Sequence, residues 1–183
     1  MRKGINPTAT LRPSKARIRD SFERAAPTYD GAADIQRRIC TQLAAGLPGI
    51  APARLLDAGC GTGFAQDDLQ ARFPNAHSVA LDLSPAMLDR VATPCCRVSG
   101  DLEHLPLADA SLDLYWSSLA VQWCDLGTAL REAHRALRPN GLVALASLGP
   151  ATFHELRHAL AHVDASRHTL RLHSANAIRT IAV

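Results

Sequence analysis

Short apolar runs recur from residue 54 onward: ArgLeuLeuAsp at 54–57, SerValAlaLeu at 78–81, LeuAspLeuTyrTrp at 112–116 and LeuValAlaLeuAla at 142–146. Runs of this length read as strands of a buried parallel sheet. Between them, 64–73, 85–92 and 126–137 carry apolar residues at helical spacing, so strands and helices alternate. That alternation predicts an α/β fold, a doubly wound and mainly parallel sheet with helices on both faces. Ahead of it, 14–26 and 33–46 have helical character, with Ser14 placed to cap the first and Gly46 and Pro48 to end the second. ArgProAsnGly at 138–141 is expected to stop a helix and turn into the next strand, because Pro139 cannot continue a helix. Phe153, Leu156, Leu160 and Val163 give the helix at 151–163 a face to bury. The folded domain is therefore expected over 14–163, with leading helices at 14–46 and a core at 54–148. A disordered start at 1–13 and an atypical tail at 164–183 flank it.

A chain of 183 residues with 47% apolar side chains supports one domain with a sizeable core. No stretch approaches the roughly eighteen apolar residues of a membrane helix, and no apolar core follows the basic start as in a secretory signal. A protein that is not secreted and has no membrane partner is expected. The first 19 residues hold Arg2, Lys3, Arg12, Lys15, Arg17 and Arg19 and no acid. Organelle transit peptides share that composition, but a tail punctuated by Pro7 and Pro13 and running into a basic helix is the preferred reading. Five cysteines without a CxxC pair suit a reducing cytoplasm, and Cys95 and Cys96 read as apolar filler rather than zinc ligands. Charge is uneven: residues 1–38 carry nine bases and four acids, and 57–113 carry three bases and nine acids. An acidic stretch around a cationic ligand and a basic arm facing an acidic partner would suit this division, as would two solvated faces.

The chemistry concentrates in LeuLeuAspAlaGlyCysGlyThrGly at 55–63, where Gly59, Gly61 and Gly63 stand at a strand-to-helix turn. Glycine there lets a ligand approach the backbone closely. The GlyxGlyxGly spacing departs from the GlyxGlyxxGly of dinucleotide folds, and residue 64 is Phe. A ligand without phosphate is favoured, since Asp57 would repel phosphate but attract an ammonium group. Asp82 ends the second strand, where a carboxylate can accept both hydroxyls of a ribose. Asp101 follows ArgValSerGly at 97–100, near the end of a third strand, where it could accept an adenine amino proton. Each acid alone could be a turn residue; together, beside a glycine loop, they describe one crevice at the strand ends.

LeuAspAlaGlyCysGlyThrGly, LeuAspLeuSerProAlaMetLeu at 81–88 and GlyAspLeuGluHisLeuPro at 100–106 resemble successive motifs of class I methyltransferases. Three flanking segments narrow the likeness: SerPheGluArgAlaAlaProThrTyrAsp at 21–30, LeuAlaValGlnTrpCysAspLeu at 119–126 and LeuGlyProAlaThrPheHisGluLeuArg at 148–157. They resemble the malonyl-acyl-carrier-protein O-methyltransferases of biotin synthesis. The resemblance implies a Rossmann-like fold, S-adenosylmethionine as cofactor, and methylation of the free carboxylate of a malonyl thioester on acyl-carrier protein or coenzyme A. It also implies Tyr29 in a lid over the cofactor, with Asp57, Gly59, Cys60, Gly61, Gly63, Asp82, Leu83, Met87, Asp101, Leu102 and Ser117 around it. Arg157 is the candidate partner for the substrate carboxylate, although a solvated helix arginine is its simpler reading.

No catalytic base is expected, because a carboxylate is already ionised at neutral pH. Class I methyltransferases have seven strands, so the last ones are expected to be missing here, and the tail from 164 is expected not to follow the family. An inactive cofactor-binding remnant, or a methyltransferase for another small acid or a quinone precursor, stays open. A nucleic-acid substrate is disfavoured, since the basic start lacks interleaved aromatics. HisGluLeuArgHis at 154–158 matches a zinc-protease pattern, but the extended motif's glycine and third histidine are missing and no glutamate follows Glu155, so no metal is expected.

Overall fold

The computed structural model describes residues 12–163 and 168–181. Residues 1–11, most of the expected disordered start, lie outside the described residues, as do 164–167 of the expected tail. Among the described residues, five strands form one sheet in the order β3-β2-β1-β4-β5: β1 (Arg54–Ala58), β2 (His77–Asp82), β3 (Cys96–Ser99), β4 (Leu112–Ser118) and β5 (Leu137–Ala146). Every pairing is parallel, with Asp57 opposite Ala80 on one side and Trp116 on the other. Seven α-helices among the described residues accompany them: α1 (Lys15–Ala25), α2 (Asp34–Ala45), α3 (Phe64–Arg72), α4 (Pro85–Leu88), α5 (Leu126–Ala136), α6 (His154–Ala161) and α7 (Ala175–Ile181). A 3₁₀ turn over Tyr29–Ala32 joins α1 to α2.

Alternate residues of the central strands feed two cores, because successive side chains leave a strand on opposite faces. Leu55, Leu114 and Trp116 meet Cys40 of α2 and Ala65 and Leu69 of α3. Leu56, Ala58 and Tyr115 meet α5 on the other face. The helix α5 presents Leu126, Ala129, Leu130, Ala133 and Ala136, an i, i+3, i+4 stripe that is wholly buried. Asp125 caps it by accepting from the Thr128 N–H at 3.0 Å. Ser14 caps α1 as expected, accepting from the Arg17 N–H at 3.3 Å. No helix among the described residues is long and apolar enough to cross a membrane.

Four expectations change. The helix expected over 85–92 ends at Leu88, and buried Val91 then packs where a Cβ on Gly63 would stand 3.0 Å from it. The turn expected at 138–141 lies inside β5: Asn140 takes a φ of 65°, and the pairing slips between Leu112–Leu137 and Leu114–Leu142. Strand pairing thus begins as soon as α5 ends, and the extra residues are taken up as a bulge. The apolar face expected on α6 stays largely open, with Leu156 48% and Val163 74% exposed, and the helix buries none of its residues. Phe153, at the head of α6 with a φ of 62°, instead lines the cavity described below. Cys95 and Cys96, read as apolar filler, are half-buried and exposed respectively.

Candidate active site

At the C-terminal ends of β1, β2 and β4 a cavity of about 570 Å³ opens beneath α1 and the 3₁₀ turn. Its floor is the loop after β1. Gly59 and Cys60 donate backbone N–H bonds to Leu81 O at 2.7 and 3.0 Å, drawing the loop against β2. Gly59 has a φ of +76°, and a Cβ on it would stand 2.2 Å from Ala120 Cβ. Glycine is required there by contact as well as by backbone angle. Gly61, at a φ of +55°, faces the open cavity, with Tyr29 Cε1 4.0 Å from where its Cβ would be.

Asp57, Asp82 and Asp101 all reach this cavity. Asp57 is buried and accepts from Gln66 Nε2 at 2.9 Å, while Ser78 Oγ holds the other end of that amide at 2.7 Å. Burial pushes its carboxyl up to about 7, against the Gln66 hydrogen bond that favours the charge. Asp82 accepts from the Gly61 N–H at 2.9 Å and the Ser84 N–H at 2.8 Å, so it organises the glycine loop as well as facing the cavity. Burial raises its pKa too, against those backbone bonds.

Asp101, two residues beyond β3, is engaged by α1. Lys15 of α1 places Nζ 2.7 Å from both Asp101 Oδ1 and Glu103 Oε1 and 3.7 Å from Cys124 Sγ. Burial opposes the lysine's charge, but the hydrogen bonds to Asp101 and Glu103 outweigh it and hold its pKa above the usual lysine range. Arg12 adds contacts to Glu103 at 3.6 Å and Asp125 at 3.8 Å. These two bases of the basic arm therefore meet acids of their own chain. Asp101, Glu103 and Cys124 are also the one group of three candidate metal ligands within range of one another among the described residues, and the Lys15 ammonium stands among them.

Further contacts tie α1 and the 3₁₀ turn to the cavity walls. Asp30 Oδ1 accepts from Thr62 Oγ at 2.6 Å, tying the 3₁₀ turn to the glycine loop. The Tyr29 ring stacks on Phe64 with centroids 6.0 Å apart, and Arg37 covers the Phe64 ring at 4.1 Å. Phe22 of α1 meets Trp123 edge-on at 5.6 Å. Burial, followed by the charge of Asp82, raises the pKa of Tyr29, whose phenol stays neutral.

The sequence-derived residues therefore divide. Tyr29, Asp57, Gly59, Cys60, Gly61, Asp82, Leu83, Asp101 and Leu102 line the cavity. Gly63, Met87, Ser117 and Arg157 do not. Gly63 packs on Val91, Met87 is fully buried, and Ser117 donates to Ala58 O at 2.8 Å. Arg157 donates to the carbonyls of Thr152 and Pro150 at 2.5 and 2.6 Å, folding back on the segment that precedes α6. His154 and His158 lie on a helix without buried residues, where His154 contacts its neighbour Glu155 at 3.1 Å. Sequence reasoning passed over Lys15 and Trp116, which meet the site through contacts between segments far apart in the chain. Phe22 and Trp123 lay in segments that carried the resemblance, but nothing local showed that they meet.

The profile of the family described as Methyltransferase domain matches residues 56–145, the span from the glycine loop to β5. The malonyl-[acyl-carrier protein] O-methyltransferase of Dechloromonas aromatica (strain RCB) is 76% identical over 182 residues, covering 100% of this chain and 70% of that protein. Its namesake in Laribacter hongkongensis (strain HLHK9) is 47% identical over 178 residues, 88% of this chain and 60% of that protein. The first alignment runs through the segment from 164, which was expected to depart from the family; there α7 packs against α5 and brings Ile178 onto the core. Among solved structures, a Haloferax volcanii methyltransferase in complex with the Trm112 activator shares the fold, with a TM-score of 0.76 and 24% identity over 90% of this chain and 74% of that one. With such identity carried over most of a relative's length, and with the strand order and glycine loop to match, this chain belongs to the malonyl-[acyl-carrier protein] O-methyltransferase family of the class I, S-adenosylmethionine-dependent methyltransferases.

Proposed function

We propose that the chain transfers a methyl group from S-adenosylmethionine to the free carboxylate of a malonyl group on acyl-carrier protein, in biotin synthesis. The observation that carries this reading is the lidded cavity over the glycine loop, in a chain 76% identical to a relative that bears that name. The residues present suit the cofactor. Asp82 keeps lone pairs on both oxygens after accepting from Gly61 and Ser84, so it can take ribose hydroxyls. Leu83 and Leu102 supply apolar surface for a base, and Asp57 supplies a carboxylate for an ammonium group. Bound there, S-adenosylmethionine supplies an electrophilic sulfonium methyl.

The protein's part is placement and exclusion of water. An ionised carboxylate needs no base, so rate comes from holding oxygen, methyl carbon and sulfur in line and from drying the nucleophile. Ile18, Phe22 and Tyr29, with Trp123 and Phe153, give the cavity apolar walls suited to this.

Calorimetric titration tests the reading first. S-adenosylmethionine and S-adenosylhomocysteine are expected to bind in the micromolar range and a nicotinamide dinucleotide not to bind; a folded chain that binds none of them overturns it. Methyl transfer to malonyl-acyl-carrier protein against malonyl-coenzyme A then identifies the carrier. Asp82→Ala is expected to weaken S-adenosylhomocysteine binding at least tenfold, about 1.4 kcal/mol. Because Asp82 holds the Gly61 and Ser84 N–H groups through separate oxygens, the variant's melting temperature is read alongside its affinity, so that a loosened loop is told from a lost ribose contact. Unchanged affinity would remove Asp82 from the ribose site.

A further inference from the structure

We propose that the indole N–H of Trp116 and the hydroxyl of Ser118 form a carboxylate-binding subsite in the inner wall of the cavity. Both residues lie near the C-terminal end of β4 and line the cavity. Two residues apart on a strand, they share one face. Trp116 is fully buried, and its Nε1 has no hydrogen-bond partner among the described residues. Ser118 Oγ is likewise buried, with the weakly bonding thiol of Cys40 beside it. Buried donors are ordinarily satisfied, and an indole N–H can only donate, so an open indole N–H, with a hydroxyl held by nothing stronger than a thiol on the same face, calls for an acceptor.

The surroundings narrow that acceptor to a carboxylate. The cavity-lining cation, Lys15, is already shared between Asp101 and Glu103, so an anion entering the site must rely on neutral donors. Asp57 stands opposite Trp116 in the β1–β4 register, yet its hydrogen bond comes from Gln66. A carboxylate acceptor and an open N–H donor on adjacent strands match an α-amino acid, whose ammonium and carboxylate leave the same carbon. The proposal rests on the methyltransferase reading, under which two carboxylates enter: the amino-acid end of the cofactor and the free end of the malonyl group. The pairing with Asp57 favours the first.

Trp116→Phe removes the N–H and keeps an apolar ring, and Ser118→Ala removes the hydroxyl. Each is titrated with S-adenosylhomocysteine and with methylthioadenosine, which lacks the amino-acid end, and assayed for methyl transfer to malonyl-coenzyme A. Trp116→Phe is expected to bind S-adenosylhomocysteine about tenfold more weakly. Methylthioadenosine affinity and the melting temperature should hold, and Ser118→Ala should show the same selectivity. Intact S-adenosylhomocysteine binding with a KM for malonyl-coenzyme A raised about tenfold assigns the subsite to the acceptor's carboxylate instead. Equal loss for both nucleoside ligands, or no change in any arm while the wild-type chain binds S-adenosylhomocysteine, overturns the subsite alone. A wild-type chain that binds neither ligand overturns the methyltransferase reading together with it.

Discussion

Gly59→Ala is expected to destabilise the fold by about 3 kcal/mol and to abolish measurable cofactor binding. Two costs combine at this position. The φ of +76° disfavours any side chain, and the added Cβ would stand 2.2 Å from Ala120 Cβ, far inside van der Waals contact. Alanine has no flexible end to move aside, so one backbone must give. The two backbones concerned are the glycine loop and the segment after β4, both of which line the cavity. For a chain of this size such a loss lowers the melting temperature by roughly 6–12 °C, readable by calorimetry. Gly61→Ala is the matched control. Its Cβ would meet nothing closer than Tyr29 Cε1 at 4.0 Å, so a smaller stability loss is expected while the methyl intrudes on the cavity. If Gly59→Ala melts with the wild type, the close approach to Ala120 is not a constraint on the fold.

Cofactor affinity is expected to rise as pH increases through about 7, the value to which burial lifts the Asp57 carboxyl, and Asp57→Asn is expected to flatten that rise. Above it the ionised carboxylate attracts the ligand's ammonium; below it the protonated acid does not. The loss in Asp57→Asn at pH 8 is about tenfold in affinity, measured by titration of S-adenosylhomocysteine at pH 6 and 8. Stability moves the other way. The folded state holds a proton on Asp57 up to about pH 7, whereas the unfolded carboxyl releases it near the ordinary value of 3.8. The native state thus binds more protons between those values, and Asp57 makes stability fall as pH rises across that window. Asp57→Asn removes this fall, so at pH 8 the variant is expected to melt higher than the wild type while binding more weakly. A variant that retains the wild-type pH dependence of binding would take Asp57 out of the ammonium site.

Much of this was legible in the chain itself. The apolar runs near 54, 78, 112 and 142 became strands because a sheet covered by helices on both faces needs near-continuous apolar residues, and that pattern is local. The three glycines and the acids Asp57, Asp82 and Asp101 announced a crevice for the same reason: each belongs to a strand end, and strand ends of one parallel sheet converge wherever the sheet is built. The helix α5 was legible down to its buried stripe.

What stayed hidden depends on who meets whom across the fold. Lys15 precedes Asp101 by 86 positions, and no periodicity links a lid helix to the segment beyond β3. Phe22 and Trp123 acquire meaning as a pair, and Trp116 becomes notable because β4 aims it at a cavity wall that offers its N–H no acceptor. Arg157 has the chemistry of a carboxylate partner, and only the fold shows its guanidinium donating to the carbonyls of Pro150 and Thr152. The face of α6 looked buriable from its spacing, yet burial requires a neighbour, which spacing cannot supply. The sequence by itself determined the order of elements and the carboxylates of the crevice, since period and turn chemistry are written locally. Only the tertiary structure decided which charges are already paired and which buried donors remain open, because both follow from distances between residues far apart along the chain.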